Sequence, residues 1–118
     1  MTLVKSFTFD ASHALTTFPP GHKCRNLHGH TWTVEVHCAG EVDMTRGYLI
    51  DYGEIKRAVS PLIDRLDHHH LNDIEGLEIS TSEIMCQWLW ERLKPELASL
   101  SKVVVYETPT SRCEYEGR

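Results

Sequence analysis

A chain of 118 residues, 41% hydrophobic and 25% charged, has the size and balance of one globular unit running from residue 1 to 118. Its formal net charge of -5 speaks against nucleic acid as a partner, because such binders carry a basic stripe. No stretch reaches the roughly 18 apolar residues of a membrane span. The first ten residues alternate instead of forming an apolar block, so the expectation is a cytoplasmic protein without a secretory leader.

Leu3, Lys5, Phe7, Phe9, Ala11 and His13 share one side of a period-two pattern, which predicts a first strand. Thr16 to Lys23 holds Pro19-Pro20-Gly21 and reads as a loop. His28 to Gly40, rich in Thr, Val and Trp, predicts a second strand, and Gly47 to Ile50 a short extended segment. The period then changes: Ile55, Ala58, Val59, Leu62, Ile63 and Leu66 form a helical stripe. Pro61 lies inside it, which predicts a kink or two pieces. Ser80 and Glu83 have capping-box spacing ahead of a second helix carrying Met85, Trp88, Leu89, Arg92 and Leu93, with Cys86, Trp90 and Leu97 widening its apolar side and Pro95 near its end. Val103 to Thr108 and Cys113 to Glu116 read as two last strands joined through Pro109-Thr110-Ser111. Strands and helices kept in separate runs predict an α+β fold, with both helices on one face of an antiparallel sheet. The open edges of so small a sheet predict self-association.

Eight histidines are the unusual count. His28-Gly29-His30 has i, i+2 spacing, which on a strand points both imidazoles to one face. His13 ends the preceding strand and reaches the same face if the two strands pair. Three neutral imidazoles with an open fourth position are the donor set of a catalytic zinc. Taken singly, an H-x-H pair is unspecific and a lone histidine on an apolar face is more often a hydrogen-bonded core residue. Cys24, four residues before His28, is flanked by Lys23 and Arg25, and that positive field favours thiolate over thiol. The alternatives for Cys24 are a plain loop cysteine or a fourth metal ligand. Cys38, Cys86 and Cys113 sit in strand or helix patterns as small core residues, and the absence of any C-x-x-C pair removes a cysteine-only zinc knuckle. Asp67 precedes His68, His69 and His70, and an aspartate can hold an imidazole in one tautomer. The plainer reading of that run is a polar loop or a second metal site. Glu107, at a strand end, can grip a guanidine-like edge or simply face water.

Five motifs together resemble the 6-pyruvoyltetrahydropterin synthase family, closest to its bacterial branch, the 6-carboxytetrahydropterin synthases of queuosine biosynthesis. They are Cys24-x-x-x-His28-Gly29-His30, Phe9-Asp10-Ala11-Ser12-His13, Leu66-Asp67-His68-His69, Thr81-Ser82-Glu83 and Tyr106-Glu107-Thr108. The three residues between Cys24 and His28 match the bacterial branch; the pyruvoyl-forming animal enzymes carry a longer insertion. The resemblance runs from about Phe7 to the end of the chain.

The resemblance implies the tunnelling fold, a four-stranded antiparallel sheet with two helices on one face, closing into a barrel as trimers that stack into a homo-hexamer. It implies 7,8-dihydroneopterin triphosphate as substrate, and 6-carboxy-5,6,7,8-tetrahydropterin, acetaldehyde and triphosphate as products. Carried over by position, His13, His28 and His30 would hold Zn2+, and Cys24 would be the base. His68, oriented by Asp67, would relay protons. His69 and His70 are alternatives for that relay, and His68 is preferred because it directly follows the aspartate. Glu107 would clamp the pterin and join the relay, with Thr81 and Ser82 near the pterin pocket. Lys23 and Arg25 are assigned to the triphosphate from their charge alone.

Three rival readings stand beside this one. Pyruvoyl formation is the alternative within the family. His28-x-His30-x-x-x-x-Glu35 resembles a first cupin motif, but Gly40 follows Glu35 too closely, no second histidine motif follows, and cupins are nearly all-β. A non-catalytic metal-binding or pterin-binding protein on the same fold would have no need of Cys24.

Overall fold

The structure, a computed structural model, describes residues 1–118. Strand β1, Thr2–His13, pairs antiparallel with β2, His28–Ala39, without interruption from Thr2↔Ala39 to His13↔His28. The alternation read from the sequence fixes this register. Phe9 and Ala11 of β1, and Trp32, Val34, Val36 and Cys38 of β2, all become buried on one face. A one-residue slip would turn either set into water.

Helix α1, Tyr52–Leu66, follows a connection in which the predicted extended segment at Gly47–Ile50 forms only a single bridge, Asp43↔Tyr48. The Asp51 carboxylate caps α1 by accepting the Gly53 N–H at 2.9 Å. Pro61 does not split the helix. It is exposed, so the Arg57 carbonyl that loses its i+4 partner can bond to water instead. Ile55, Val59, Leu62 and Leu66 make the buried stripe.

After the two residues Asp67 and His68, His69–His70 form β3, which runs parallel to β1 through Ala11↔His69 and Ser12↔His70. Helix α2, Ser82–Leu93, buries Met85, Cys86, Trp88, Leu89 and Leu93. Its cap is Thr81, whose Oγ1 accepts the Ile84 N–H at 3.3 Å, and not Ser80, which is fully buried. Strands β4, Leu100–Thr108, and β5, Ser111–Tyr115, complete a sheet ordered β3-β1-β2-β4-β5.

The sheet is therefore mixed and five-stranded, not four-stranded and purely antiparallel. The extra strand is too short to show an alternation. It arises because His68 adopts a left-handed φ of 59°, which turns the chain back along the edge of β1. Helix α1 packs on β1, and α2 on β4 and β5. Both helices close the face carrying Trp32, Val34, Val103 and Val105, and that shared cluster is the core. No helix is long and apolar enough to cross a membrane.

Candidate metal centre and active site

The β1–β2 register sets His13 directly opposite His28, with His30 two residues along the same face. Ring centroids lie 4.5 Å apart for His13 and His28, 5.6 Å for His13 and His30, and 6.1 Å for His28 and His30. Each Nδ1 faces a backbone carbonyl: Ser80 at 3.0 Å from His13, Asn26 at 2.7 Å from His28, and Thr31 at 3.0 Å from His30. A carbonyl can only accept, so each Nδ1 carries a hydrogen, and in the neutral form each ring keeps its lone pair on Nε2. This is the pattern by which ligand imidazoles are held in one tautomer around a metal.

The Nε2 atoms of His13 and His30 are buried and have no hydrogen-bond partner. Burial, ahead of every other cause, lowers the pKa of His13 to about 4, so the ring is neutral at pH 7. Glu107 Oε1 lies 3.6 Å from His13 Nε2. With His13 neutral, that contact is not an ion pair. One donor atom from each of His13, His28, His30 and Glu107 lies within 4.8 Å of the others. Converging lone pairs with no hydrogen among them fit a divalent cation, and the nitrogen-rich set with one carboxylate fits zinc. Glu107 belongs to this group by parity: Val103, Val105 and Glu107 alternate on β4, and both valines are buried.

Cys24 sits on a 3-10 turn, Lys23–Arg25. The turn is anchored where the Cys24 carbonyl accepts the Leu15 N–H at 2.8 Å and the Cys24 N–H donates to His22 Nδ1 at 3.0 Å. A cavity of about 480 Å3 brings Lys23, Cys24, His28, His30 and Glu107 together. Arg25 is placed otherwise. Its Nη1 donates to the Thr16 carbonyl and, at 2.7 Å, to that of Phe18, so it staples the preceding loop.

Asp67 and His68 pair on the other side of β2, with Asp67 Oδ1 3.0 Å from His68 Nδ1. Asp10 grips both: its N–H donates to Asp67 Oδ1 at 2.9 Å, and its carbonyl accepts the His68 N–H at 2.6 Å. The Asp10 N–H, and after it His68, hold the Asp67 carboxyl below its ordinary range. His69 Nδ1 bonds its own turn at the Asp67 carbonyl, and His70 Nδ1 meets Ser12 Oγ at 3.0 Å. A cavity of about 420 Å3 joins Asp10 and His68 to Gly29 and His30, so His30 walls both cavities.

Thr81 and Ser82 line neither cavity within one chain. Thr81 caps α2, and the Ser82 hydroxyl donates to Glu83 Oε1 at 3.0 Å. Four contributors escape the sequence reading: Ser80, Asp10 and the carbonyls of Asn26 and Thr31. Ser80 and Asn26 act mainly through backbone oxygens, which carry no side-chain signature. Asp10 had one available signal, a carboxylate three residues before His13 on the polar side of the alternation.

The family described as 6-pyruvoyl tetrahydropterin synthase matches residues 2–118. The chain is 37% identical over 121 residues to a protein of Synechocystis sp. named 6-carboxy-5,6,7,8-tetrahydropterin synthase, covering 96% of this chain and 91% of that one. It is 34% identical over 90 residues to a Pyrococcus furiosus protein named dihydroneopterin monophosphate aldolase, covering 76% and 72%. The solved structure of Caenorhabditis elegans 6-pyruvoyl tetrahydropterin synthase superposes with a TM-score of 0.91 at 31% identity, covering 100% of this chain and 96% of that one.

Proposed function

We infer the function of this chain from its membership: it belongs to the 6-pyruvoyl tetrahydropterin synthase family. Within that family we propose that it converts 7,8-dihydroneopterin triphosphate and a water molecule to 6-carboxy-5,6,7,8-tetrahydropterin, releasing acetaldehyde and triphosphate, as a zinc-dependent step of queuosine biosynthesis. Relatives bearing the 6-carboxytetrahydropterin synthase name support this over nearly the full chain. The observation that carries the chemistry is the convergence of three Nε2 lone pairs beside a cavity that also holds Cys24.

His13, His28 and His30 would hold the zinc. Bound there, zinc acidifies carbon-bound protons next to the side-chain oxygens of the substrate. Cys24, as thiolate, takes a proton from the substrate side chain and returns it to the neighbouring carbon. His68 serves the opposite side of the side chain, held by Asp67 with Nε2 free to exchange a proton. Glu107 accepts two N–H groups from the 2-amino-pyrimidinone edge of the pterin, a bidentate match. Lys23 stands at the cavity mouth for the triphosphate.

Assembly into a homo-hexamer, a dimer of trimers, would complete the site. β1 is paired with β3 only at Ala11 and Ser12, so Thr2 to Asp10 leave an open edge, and β5 leaves another. Edges of this kind join sheets into a barrel and would bring Thr81 and Ser82 of one chain toward the pterin cavity of another.

Incubating zinc-loaded protein with 7,8-dihydroneopterin triphosphate, and identifying the pterin product by mass, tests the reading. Equal yields of 6-carboxytetrahydropterin and acetaldehyde are expected. A 6-pyruvoyl product, or an aldol cleavage product without the carboxyl group, would overturn it.

A further inference from the structure

His22 faces the opposite kind of partner from the metal donors. The Nδ1 atoms of His13, His28 and His30 meet carbonyls, whereas His22 Nδ1 accepts the Cys24 N–H at 3.0 Å. A ring that accepts at Nδ1 carries its hydrogen on Nε2, so His22 has no free lone pair to offer a metal. It stands outside the donor group as well. Its ring is the N-cap of the 3-10 turn Lys23–Arg25, which carries Cys24. The Cys24 peptide is therefore held from both sides. Its carbonyl accepts the Leu15 N–H from the main chain at 2.8 Å, and its N–H is taken by this one side chain. Phe18 stands edge-on to the His22 ring, with centroids 4.6 Å apart. His22 is exposed, so burial does not account for its place.

We propose that His22 is a positioning residue: its Nδ1 holds Cys24 where the thiolate reaches the substrate side chain. The proposal rests on the reading of Cys24 as the base given above. An imidazole suits this task better than the commoner caps. The two α-helices of the chain are capped by Asp51 and Thr81. An aspartate at position 22 would set a negative charge beside a residue that must itself become an anion. The neutral ring accepts the same N–H without that charge. A base must also sit within hydrogen-bond reach of the proton it takes, and a misplacement of about 1 Å can lower a rate by about a hundredfold. A turn held only through its carbonyl would loosen the base while leaving the sheet and helices intact.

Two variants of the zinc-loaded protein separate the bond from the ring. His22→Asn keeps an acceptor able to bond the N–H two residues on and removes the ring. His22→Phe keeps a ring against Phe18 and removes the acceptor. Turnover of 7,8-dihydroneopterin triphosphate, zinc content and hydrogen exchange at the Cys24 amide are measured on each. His22→Phe is expected to lose kcat by at least about fivefold, with KM and zinc content unchanged and faster exchange at Cys24. His22→Asn is expected to keep the wild-type kcat and the slower exchange. Wild-type kcat in His22→Phe, or equal losses in both variants, would overturn the role of the acceptor. A loss confined to His22→Asn would assign the residue to packing on Phe18 instead and overturn the proposal. Loss of zinc in His22→Phe would make the turn a support for the metal and overturn it too. Cys24→Ala, run alongside, tells the two readings apart: wild-type turnover there removes the base itself, whereas lost turnover there with none lost in His22→Phe removes only the positioning role.

Discussion

His13 Nδ1 donates to the carbonyl oxygen of Ser80 at 3.0 Å, across 67 residues of sequence, and the Ser80 hydroxyl lies 3.3 Å from the same nitrogen. The imidazole proposed as a ligand at the end of β1 is thus oriented by the residue just ahead of the α2 cap. The helix cap and the proposed metal site are therefore adjacent along the chain and linked through Ser80. Thr81→Ala is expected to cost about 1 kcal/mol of stability, as lost N-caps do, and also to weaken zinc binding, because the Ser80 carbonyl loses its fixed position. Ser80→Ala keeps the carbonyl and should weaken zinc binding less. Denaturant unfolding and chelator competition on both variants check the pair.

Trp32 lies beneath the histidines, its ring 4.9 Å from that of His13 and 4.4 Å from that of His30. Its indole N–H is buried without a partner. Metal binding changes the charge beside this ring, so stripping the metal should alter tryptophan emission. In Trp32→Phe that response should vanish while Trp88 and Trp90 still emit. A metal response that survives in Trp32→Phe would mean the ion binds elsewhere.

Cys24→Ala is expected to keep its metal and its fold and to lose turnover by at least about a hundredfold, the lower range for a positioned proton-transfer group. Metal content, thermal unfolding and product formation measured on one preparation separate the three effects. Turnover at the wild-type level would remove Cys24 as the base.

Asp67 makes a pH prediction. Its carboxyl is held below the ordinary range, first by the Asp10 N–H and then by His68. A depressed carboxyl contributes stability that is fully present above the ordinary aspartate range, near pH 4. That stability is lost as pH falls through the lowered value. The stability difference between wild type and Asp67→Asn should therefore be present above about pH 4 and shrink as pH falls below it. The same variant should lose turnover without losing metal, since neither Asp67 nor His68 belongs to the donor group of His13, His28, His30 and Glu107.

Period-two alternation carried most of the fold. It placed Phe9, Ala11 and His13 on one face and Trp32 with His28 and His30 on its partner, so pairing the strands assembled the metal donors. What stayed hidden depends on the backbone. His69–His70 is too short a strand to show a period, and only the left-handed turn at His68 makes it pair. Ser80 carries the spacing of a cap, yet the chain gives that role to Thr81 and turns Ser80 inward to His13. Arg25 is assigned to a phosphate from its charge, and nothing in the sequence signals that its Nη1 also bonds the carbonyls of Thr16 and Phe18. Glu107 was legible as a site residue and its side of the sheet could be counted, but its distance from His13 Nε2 could not.

The central claim is that His13, His28 and His30 together hold a catalytic zinc. Metal analysis of wild type beside His28→Ala tests it most directly. Wild type should contain about one zinc per chain, and His28→Ala, folded as judged by circular dichroism, should contain little. A folded His28→Ala protein that keeps its full zinc content would contradict the account.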